Sequence, residues 1–366
     1  MSVTPKAQAA STKQQALILL KSNRLVEAKS MFARTCQLDK NDWEAFAMLG
    51  AIHGMLGEFQ EAEACSRKAI SIKPEALSAY NNLGNALKEQ GKLKEATQAY
   101  QNALKMKKDY IPAHVNLGIV LKDQKKLTQA EHSYRDALRI DPNHPDALLG
   151  LGNVLLEGEK FAEAEKYFRN ALRYKGDLVD LHHSLGIALQ MQGNDKDALK
   201  CYQHAAKIKP DHISTCKKLG SLHMKQGQPE QAEECYQNAL KTSPHNIELL
   251  MGLGVILLEQ EKYLSAGECY HHALDNMATA DSKEYSASNA YECYLNLGLT
   301  LQRQRKYPEA KANYLKASEI RPDEERCKTS LAVVMEVEGD LQGAYDLIKP
   351  LIDSTKENTL LPGTID

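Results

Sequence analysis

A Leu-Gly pair returns along the chain at a fixed interval of 34 residues, at Leu49-Gly50, Leu83-Gly84, Leu117-Gly118, Leu151-Gly152, Leu185-Gly186, Leu219-Gly220 and Leu253-Gly254. The interval stretches once to 44 before Leu297-Gly298, returns to 34 at Leu331-Ala332, and one step back from Leu49 falls on Gln15-Ala16. A length of 366 residues would otherwise suggest two or three globular domains. Ten copies of one interval argue instead for a stacked array, in which each copy buries its apolar face only against its neighbours.

The rest of each copy keeps the same clock. With the Leu counted as position 7, position 20 is Ala in all ten repeats, from Ala28 to Ala344, and position 27 is Ala in eight, from Ala69 to Ala317. Position 24 is aromatic in eight, including Phe32, Tyr100, Tyr134, Phe168 and Tyr236, and position 32 is Pro at Pro74, Pro142, Pro210, Pro244 and Pro322. This pattern resembles the tetratricopeptide repeat over roughly residues 9 to 355. The resemblance implies an all-α fold, a right-handed α-solenoid or superhelix of about ten helix-turn-helix repeats with a concave groove lined by the first helices.

The residue choices carry this fold on physical grounds. Positions 4, 7, 8 and 11, for example Tyr80, Leu83, Gly84 and Leu87, share one face of a first helix, while positions 20, 24 and 27 share one face of a second. Glycine at position 8 costs about 1 kcal/mol of helix propensity against alanine, so its presence points to close contact between backbones. At position 15, Gly57, Gly91, Gly193, Gly227 and Gly339, with Asn23 in the first repeat, suit a left-handed cap between the helices. Lys125, Glu159, Glu261 and Arg305 hold that place elsewhere, which should weaken those turns.

The period sets the boundaries. After a tail over 1–8, repeats are expected at 9–42, 43–76, 77–110, 111–144, 145–178, 179–212, 213–246, 247–290, 291–324 and 325–355, with a flexible tail over 356–366. The first repeat, with Thr12, Gln15 and Lys40 at pattern positions, reads as an N-terminal cap. The eighth carries ten extra residues. Asp281 and Glu284 resemble a capping box, so a loop over 275–281 and a lengthened helix over about 282–304 are expected, as a projecting arm or a tolerated extension. In the last repeat Ala332 and Ile348 replace Gly and the aromatic, and Pro350 should kink or end the second helix.

Charge excludes several functions. The 46 basic and 48 acidic residues nearly cancel, which gives no general pull toward nucleic acid or anionic lipid. The polar stretch Met1 to Lys13 lacks signal-peptide architecture, and the longest apolar run, Leu249 to Leu258, is far short of a membrane span, so a soluble cytoplasmic protein is expected. Eight cysteines show no Cys-x-x-Cys or framework spacing. Cys65, Cys201, Cys235 and Cys269 share position 23, but stacked helices lie roughly 8–10 Å apart against the limit of about 7 Å for a disulfide, so free thiols are expected. No phosphate loop, nucleophile elbow or His-Glu-x-x-His is present, and His182-His183 and His271-His272 point about 100° apart on a helix, so neither pair chelates well. His114 and His182, at position 4, read as packed histidines. The chain is read as no enzyme, with no cofactor and no metal.

The inner face remains. Positions 2, 5, 6, 9, 12 and 13 of the first helices line the groove in the family that the chain resembles, and here they carry Val115, Ile119, Leu149, Leu156, Ile187, Met191, Met224, Met251, Val255, Leu258, Leu295, Leu299 and Val333. A face this apolar fits a docking helix or extended segment, although positions 5 and 9 could equally pack between adjacent first helices. Asn82, Asn116 and Asn296 at position 6, with Asn85 and Asn153 at position 9, could bond a partner's main chain whatever its sequence. The position-6 asparagines partly resemble the superhelix of the protein O-linked N-acetylglucosamine transferases, but Gly150, Ser184, Lys218 and Gly252 break the ladder. Asn85 and Asn116 also match two positions of the chaperone-binding carboxylate clamp, whose cations are replaced by Asn81, Asp146 and Gly150, which argues against a C-terminal carboxylate ligand. Lys217, Lys218 and Lys225 alternate with acidic groups such as Glu248 and Glu259, a mixture that sets a peptide's register and forms no track for RNA.

The reading is a non-catalytic scaffold or adaptor that binds a peptide or amphipathic helix through Asn82, Asn85, Asn116, Ile119, Asn153, Met191, Lys217, Met251 and Val255. Its partner is a protein or peptide, with no nucleic acid and no membrane. The alternative is the substrate-selecting arm of a glycosyltransferase-like enzyme whose catalytic part lies elsewhere, and self-association through groove or ends is a third mode.

Overall fold

The structure, a computed structural model, describes residues 4–176, 178–279 and 287–359. Those residues form twenty α-helices and no strand. They divide into two compact bodies, Met1–Asn194 and Asp195–Asp366. The N-terminal body contains α1 (Pro5–Lys21), α2 (Leu25–Leu38), α3 (Trp43–Met55), α4 (Phe59–Ile72), α5 (Leu77–Glu89), α6 (Leu93–Met106), α7 (Ile111–Asp123), α8 (Leu127–Ile140), α9 (Pro145–Glu157), α10 (Phe161–Lys175) and α11 (Val179–Met191). The C-terminal body contains α12 (Asp195–Ile208), α13 (Ile213–Lys225), α14 (Pro229–Thr242), α15 (Ile247–Glu259), α16 (Tyr263–Thr279), α17 (Ala287–Arg303), α18 (Tyr307–Ile320), α19 (Glu325–Val337) and α20 (Leu341–Thr359). Within each body every helix packs on the next, and odd-numbered helices also touch across repeats, as α3 touches α5 and α13 touches α15. This is the all-α stacked-repeat fold that the period predicts.

Glycine at position 8 is there for contact. A Cβ built on Gly84 would stand 2.4 Å from Cε1 of Tyr100, and the same holds for Gly118 under Tyr134, Gly152 under Phe168, Gly254 under Tyr270 and Gly298 under Tyr314. The rings are buried, so they cannot swing aside without opening the core. Second helices meet first helices through Ala at positions 20 and 27, such as Ala96, Ala103, Ala130 and Ala137, each fully buried.

Each inter-helix turn uses the left-handed region at position 15. Gly57, Gly91, Gly193, Gly227 and Gly339 have φ of 69° to 89°, and Asn23, Lys125, Glu159, Glu261 and Arg305 adopt 57° to 62°. The geometry is therefore kept where the residue does not favour it.

A second link, between repeats, has no counterpart in the sequence reading. The Gln90 amide donates to the Phe59 carbonyl at 3.1 Å and to Glu63 at 2.9 Å, and Glu63 also accepts from Lys92 and Arg67. Gln124 repeats the link to Leu93 and Thr97, Gln260 to Pro229 and Glu233, and Gln304 to the Tyr263 carbonyl. Each glutamine adds a second donor to a carbonyl in the first turn of the preceding second helix, tying successive repeats. Partial burial opposes ionisation of Glu63, but its bonds from Lys92, Arg67 and Gln90 hold the carboxyl down to about 2.

The chain ends and the insertion differ from expectation. α1 begins at Pro5, inside the expected tail, with Thr4 capping the Ala7 amide, because proline suits a first helical turn. Residues 275–279, expected as loop, continue α16 to Thr279, since nothing before that point breaks the helix. The capping-box residues Asp281 and Glu284 lie outside the described residues, and α17 is described from Ala287. Pro350 does not end α20, which continues past the expected boundary to Thr359. Pro350 is exposed, so the carbonyl that loses its donor there can turn to water.

The eight cysteines are free thiols. His114 is buried and its Nε2 lies 2.8 Å from the Lys108 carbonyl; His182 is buried as well. Among the described residues no helix is long and apolar enough to cross a membrane.

Candidate functional site

The first helices of repeats two to four bring three of the expected residues together. Asn82 and Asn85 on α5 and Asn116 on α7 line a cavity of about 470 Å³, whose other wall is Gly50, Ala51, Gly54 and Met55 of α3 with Phe59 of α4. All three asparagines are half-buried. Their amides are tied to one another and to the fold. Asn116 donates to Asn81 Oδ1 and to Asn85 Oδ1, both at 3.1 Å; Tyr100 O–H donates to Asn85 Oδ1 at 2.7 Å; Asn82 Nδ2 donates to the Ala47 carbonyl at 3.0 Å.

These bonds decide what is left over. Asn85 Oδ1 accepts twice, so its Nδ2 remains a donor, while Asn116 spends both amide hydrogens and keeps its Oδ1 as an acceptor. Asn82 Oδ1 is a further acceptor. The cavity is therefore lined by asparagines with open donors, on Asn85 Nδ2 and the second hydrogen of Asn82 Nδ2, and open acceptors, on Asn82 Oδ1 and Asn116 Oδ1, the two kinds of group that a peptide unit with one C=O and one N–H pairs with. At the cavity's edge Lys88 pairs with Glu89 at 2.6 Å, so the mouth carries no net charge from this pair.

The remaining expected residues are not gathered here. Ile119 and Asn153 are half-buried on the same face of α7 and α9, and Met191 at the end of α11 is exposed. In the C-terminal body, Val255 is 41% exposed and lines a cavity of about 600 Å³ with Leu258, Leu299, Asn296, Arg303 and Arg326. Met251 is half-buried and packs against that body's core, and Lys217 is engaged in an ion pair with Glu248. Val115 and Leu295, at position 5, are buried, so they pack between helices and line no surface.

The breaks in the asparagine ladder have a steric cause at two places. A Cβ on Gly150 would meet Tyr134 Cε1 at 2.3 Å, and one on Gly252 would meet Tyr236 Cε1 at 2.2 Å. The ring of the preceding repeat fills the space an asparagine would need.

The small wall of the cavity escaped the sequence reading. Its signal is Ala51 and Gly54 at positions 9 and 12 of repeat two, where other repeats carry pairs such as Asn85 and Lys88 or Val255 and Leu258. Among the described residues no group of three or more His, Cys, Asp or Glu side chains is placed to hold a metal ion.

Comparison with known proteins agrees with this architecture. The family described as tetratricopeptide repeat matches residues 44–75, 213–246 and 292–321, and the cilia and flagella-associated protein 70 middle TPR-like domain matches 82–209. The chain is a tetratricopeptide repeat protein. A tetratricopeptide repeat protein from Parabacteroides merdae ATCC 43184 aligns at 21% identity and a TM-score of 0.51, covering 71% of this chain and 98% of that one. PilW, a type IV pilus biogenesis factor, aligns at 19% identity and a TM-score of 0.53, covering 58% and 97%. No curated protein sequence matches. As a tetratricopeptide repeat protein, the chain has the fold of a protein-interaction scaffold.

Proposed function

We propose that the chain is a non-catalytic scaffold that holds an extended segment of another protein against the first-helix face of its N-terminal body. The observation that carries this reading is the set of amide donors and acceptors left open by Asn82, Asn85 and Asn116. Those groups match main chain, which every peptide possesses, and leave selection to neighbouring side chains. Ile119 and Asn153 extend the same face, while Lys217, Met251 and Val255 stand on first helices of the C-terminal body, where the ion pair of Lys217 and the packing of Met251 reduce what they can offer. Nearly balanced charge speaks for a protein partner over a polyanion. Eight free thiols fit a reducing, cytoplasmic setting.

The test is Asn85→Asp. It keeps an oxygen for Tyr100 and Asn116 but turns the free donor into an acceptor. Dodecapeptides selected from a random phage-displayed library on the wild-type chain should lose about tenfold or more in affinity for the variant, the cost of roughly one lost bond and a facing oxygen. Melting temperature should stay close to wild type. Selected peptides that bind both chains equally would overturn the proposal.

A further inference from the structure

One pair of thiols in the C-terminal body is placed for chemistry that peptide binding does not use. Cys216 on α13 and Cys235 on α14 are hydrogen-bonded to each other through their thiols. Cys216 is fully buried and donates to the Pro210 carbonyl at 3.1 Å, which leaves its sulfur as the acceptor for Cys235. Cys235 packs against the same apolar core but is only half-buried, and it lines a cavity of about 750 Å³ with Pro210, Leu219, His223, Lys207 and Lys241. The outer thiol is reached from the cavity, and the inner one only through it.

Repeat seven alone combines these two cysteines. Cys235 shares position 23 with Cys65, Cys201 and Cys269, which stand on the second helices of different repeats, and position 4 in the repeats of those three is Phe46, His182 and Leu250. Cys216 fills position 4 of the repeat that holds Cys235. Among the described residues no group of three or more His, Cys, Asp or Glu is placed to hold a metal ion, so the two thiols have only each other to react with. Sulfurs already in hydrogen-bond contact need a small movement to reach a disulfide bond of about 2.05 Å.

We propose that Cys216 and Cys235 form a reversible dithiol–disulfide pair, oxidised by a small disulfide that enters the cavity beside Cys235. Lys207 and Lys241 against one Glu234 leave that cavity positive, which suits the carboxylates of a peptide disulfide such as oxidised glutathione. The Cys235 thiol loses its proton to solvent and its sulfur attacks one sulfur of the incoming disulfide, forming a mixed disulfide and releasing a first small thiol. Cys216 gives up its proton in turn and attacks the Cys235 sulfur, so that the mixed bond breaks and a second small thiol leaves through the cavity. Two protein thiols become one disulfide, and one small disulfide becomes two thiols. The bond to Cys216 and burial both hold Cys235 as a thiol, so the first step is slow, while the second joins groups already in contact. In a reducing compartment a pair of this kind is oxidised transiently, as a sensor.

The test is incubation of the full chain with oxidised glutathione until its mass stops changing, followed by alkylation of the remaining thiols and peptide mapping. The wild type should lose two hydrogens, yield a peptide linked through Cys216 and Cys235, and carry no glutathionyl group on either; dithiothreitol should restore its mass. Cys216→Ser should keep a glutathionyl group on Cys235, because nothing displaces it. Cys235→Ser should leave Cys216 unmodified, because the buried thiol is not reached without its neighbour. A wild-type chain that stops as a Cys235 adduct, links Cys235 to another cysteine or leaves both thiols reduced would overturn the proposal, as would a Cys216 adduct in a folded Cys235→Ser chain. The wild-type linkage decides the matter alone if either variant fails to fold, and neither result bears on peptide binding by the N-terminal body.

Discussion

Lys125→Gly should stabilise the N-terminal body, because Lys125 holds a left-handed conformation, φ 61°, that glycine takes freely at the equivalent Gly57 and Gly91. Left-handed geometry costs an L-residue about 1–2 kcal/mol. Glycine gives back about 0.5–1 kcal/mol of that through its greater freedom in the unfolded chain. Lys125 also sits 3.7 Å from Glu157, but it is 82% exposed, so this pair contributes at most a few tenths of a kcal/mol. The net is a gain of about 0.5 kcal/mol. Glu159, φ 59°, lies in the next turn of the same body, and Glu159→Gly should add a similar amount, giving about 1 kcal/mol for the pair. Urea unfolding followed by far-ultraviolet circular dichroism should then show a midpoint raised by about 0.3–0.5 M at unchanged slope. Gly91→Ala is the control: its new Cβ would meet nothing within 4 Å, so any loss comes from backbone conformation alone. A midpoint that falls in Lys125→Gly, or rises in Gly91→Ala, at constant slope would refute the account of these turns.

Three further outcomes follow from the packing. Glu63, held down to about 2 against an ordinary value of 4.5, adds stability that is present above about pH 4.5 and lost as pH falls through 2. Glu63→Gln should therefore cost about 1–2 kcal/mol at neutral pH, after allowance for solvent screening, and flatten the acid limb of a stability profile measured by urea titration between about pH 5 and 2. Gly84→Ala should lose about 1–3 kcal/mol by driving a methyl into the Tyr100 ring, whereas Gly54→Ala, in open space, should gain up to about 1 kcal/mol; thermal melts of the two variants check the contrast. Tyr100→Phe should cost about 1 kcal/mol by removing the bond to Asn85, while Tyr270→Phe, whose hydroxyl is buried without a partner, should be neutral or stabilising in the same assay.

The fold was legible because its determinants recur. A glycine under a ring at Gly84 and Tyr100 is one coincidence, but its return at 34-residue spacing names both the helix pair and the contact. Features that occur once were harder to read. The helix carried through Pro350 depends on the exposure of one side of α20, and the length of α16 depends on the absence of a breaker before Thr279, neither of which repetition can signal. The glutamine links at Gln90, Gln124, Gln260 and Gln304 recur at the same register in fewer repeats than the glycines, and a polar residue at a helix end has many uses, so only its partner on the preceding repeat discloses this one.

Which first-helix residues line the N-terminal cavity is harder to read from the sequence than which helix they stand on, and part of the reason lies one repeat upstream. At two places the residue at position 6 answers to position 24 of the repeat before it, although Asn116 behind Tyr100 and Asn296 behind Tyr270 keep a side chain next to a ring. Behind Gly150 and Gly252 stand Tyr134 and Tyr236, whose rings take the space. Behind Asn82 stands Ser66, with a buried hydroxyl that finds no partner, and there α3 and α5 are in more extensive contact than other neighbouring first helices. There the Asn82 amide donates back to the Ala47 carbonyl while Asn82 lines the cavity. Exchanging the pair makes the argument testable: Ser66→Tyr should displace Asn82 from Ala47 and close the cleft, lowering peptide affinity although residue 66 lies outside the cavity lining. Unchanged affinity in a folded Ser66→Tyr chain would mean that the first-helix spacing is not governed by the ring at position 24.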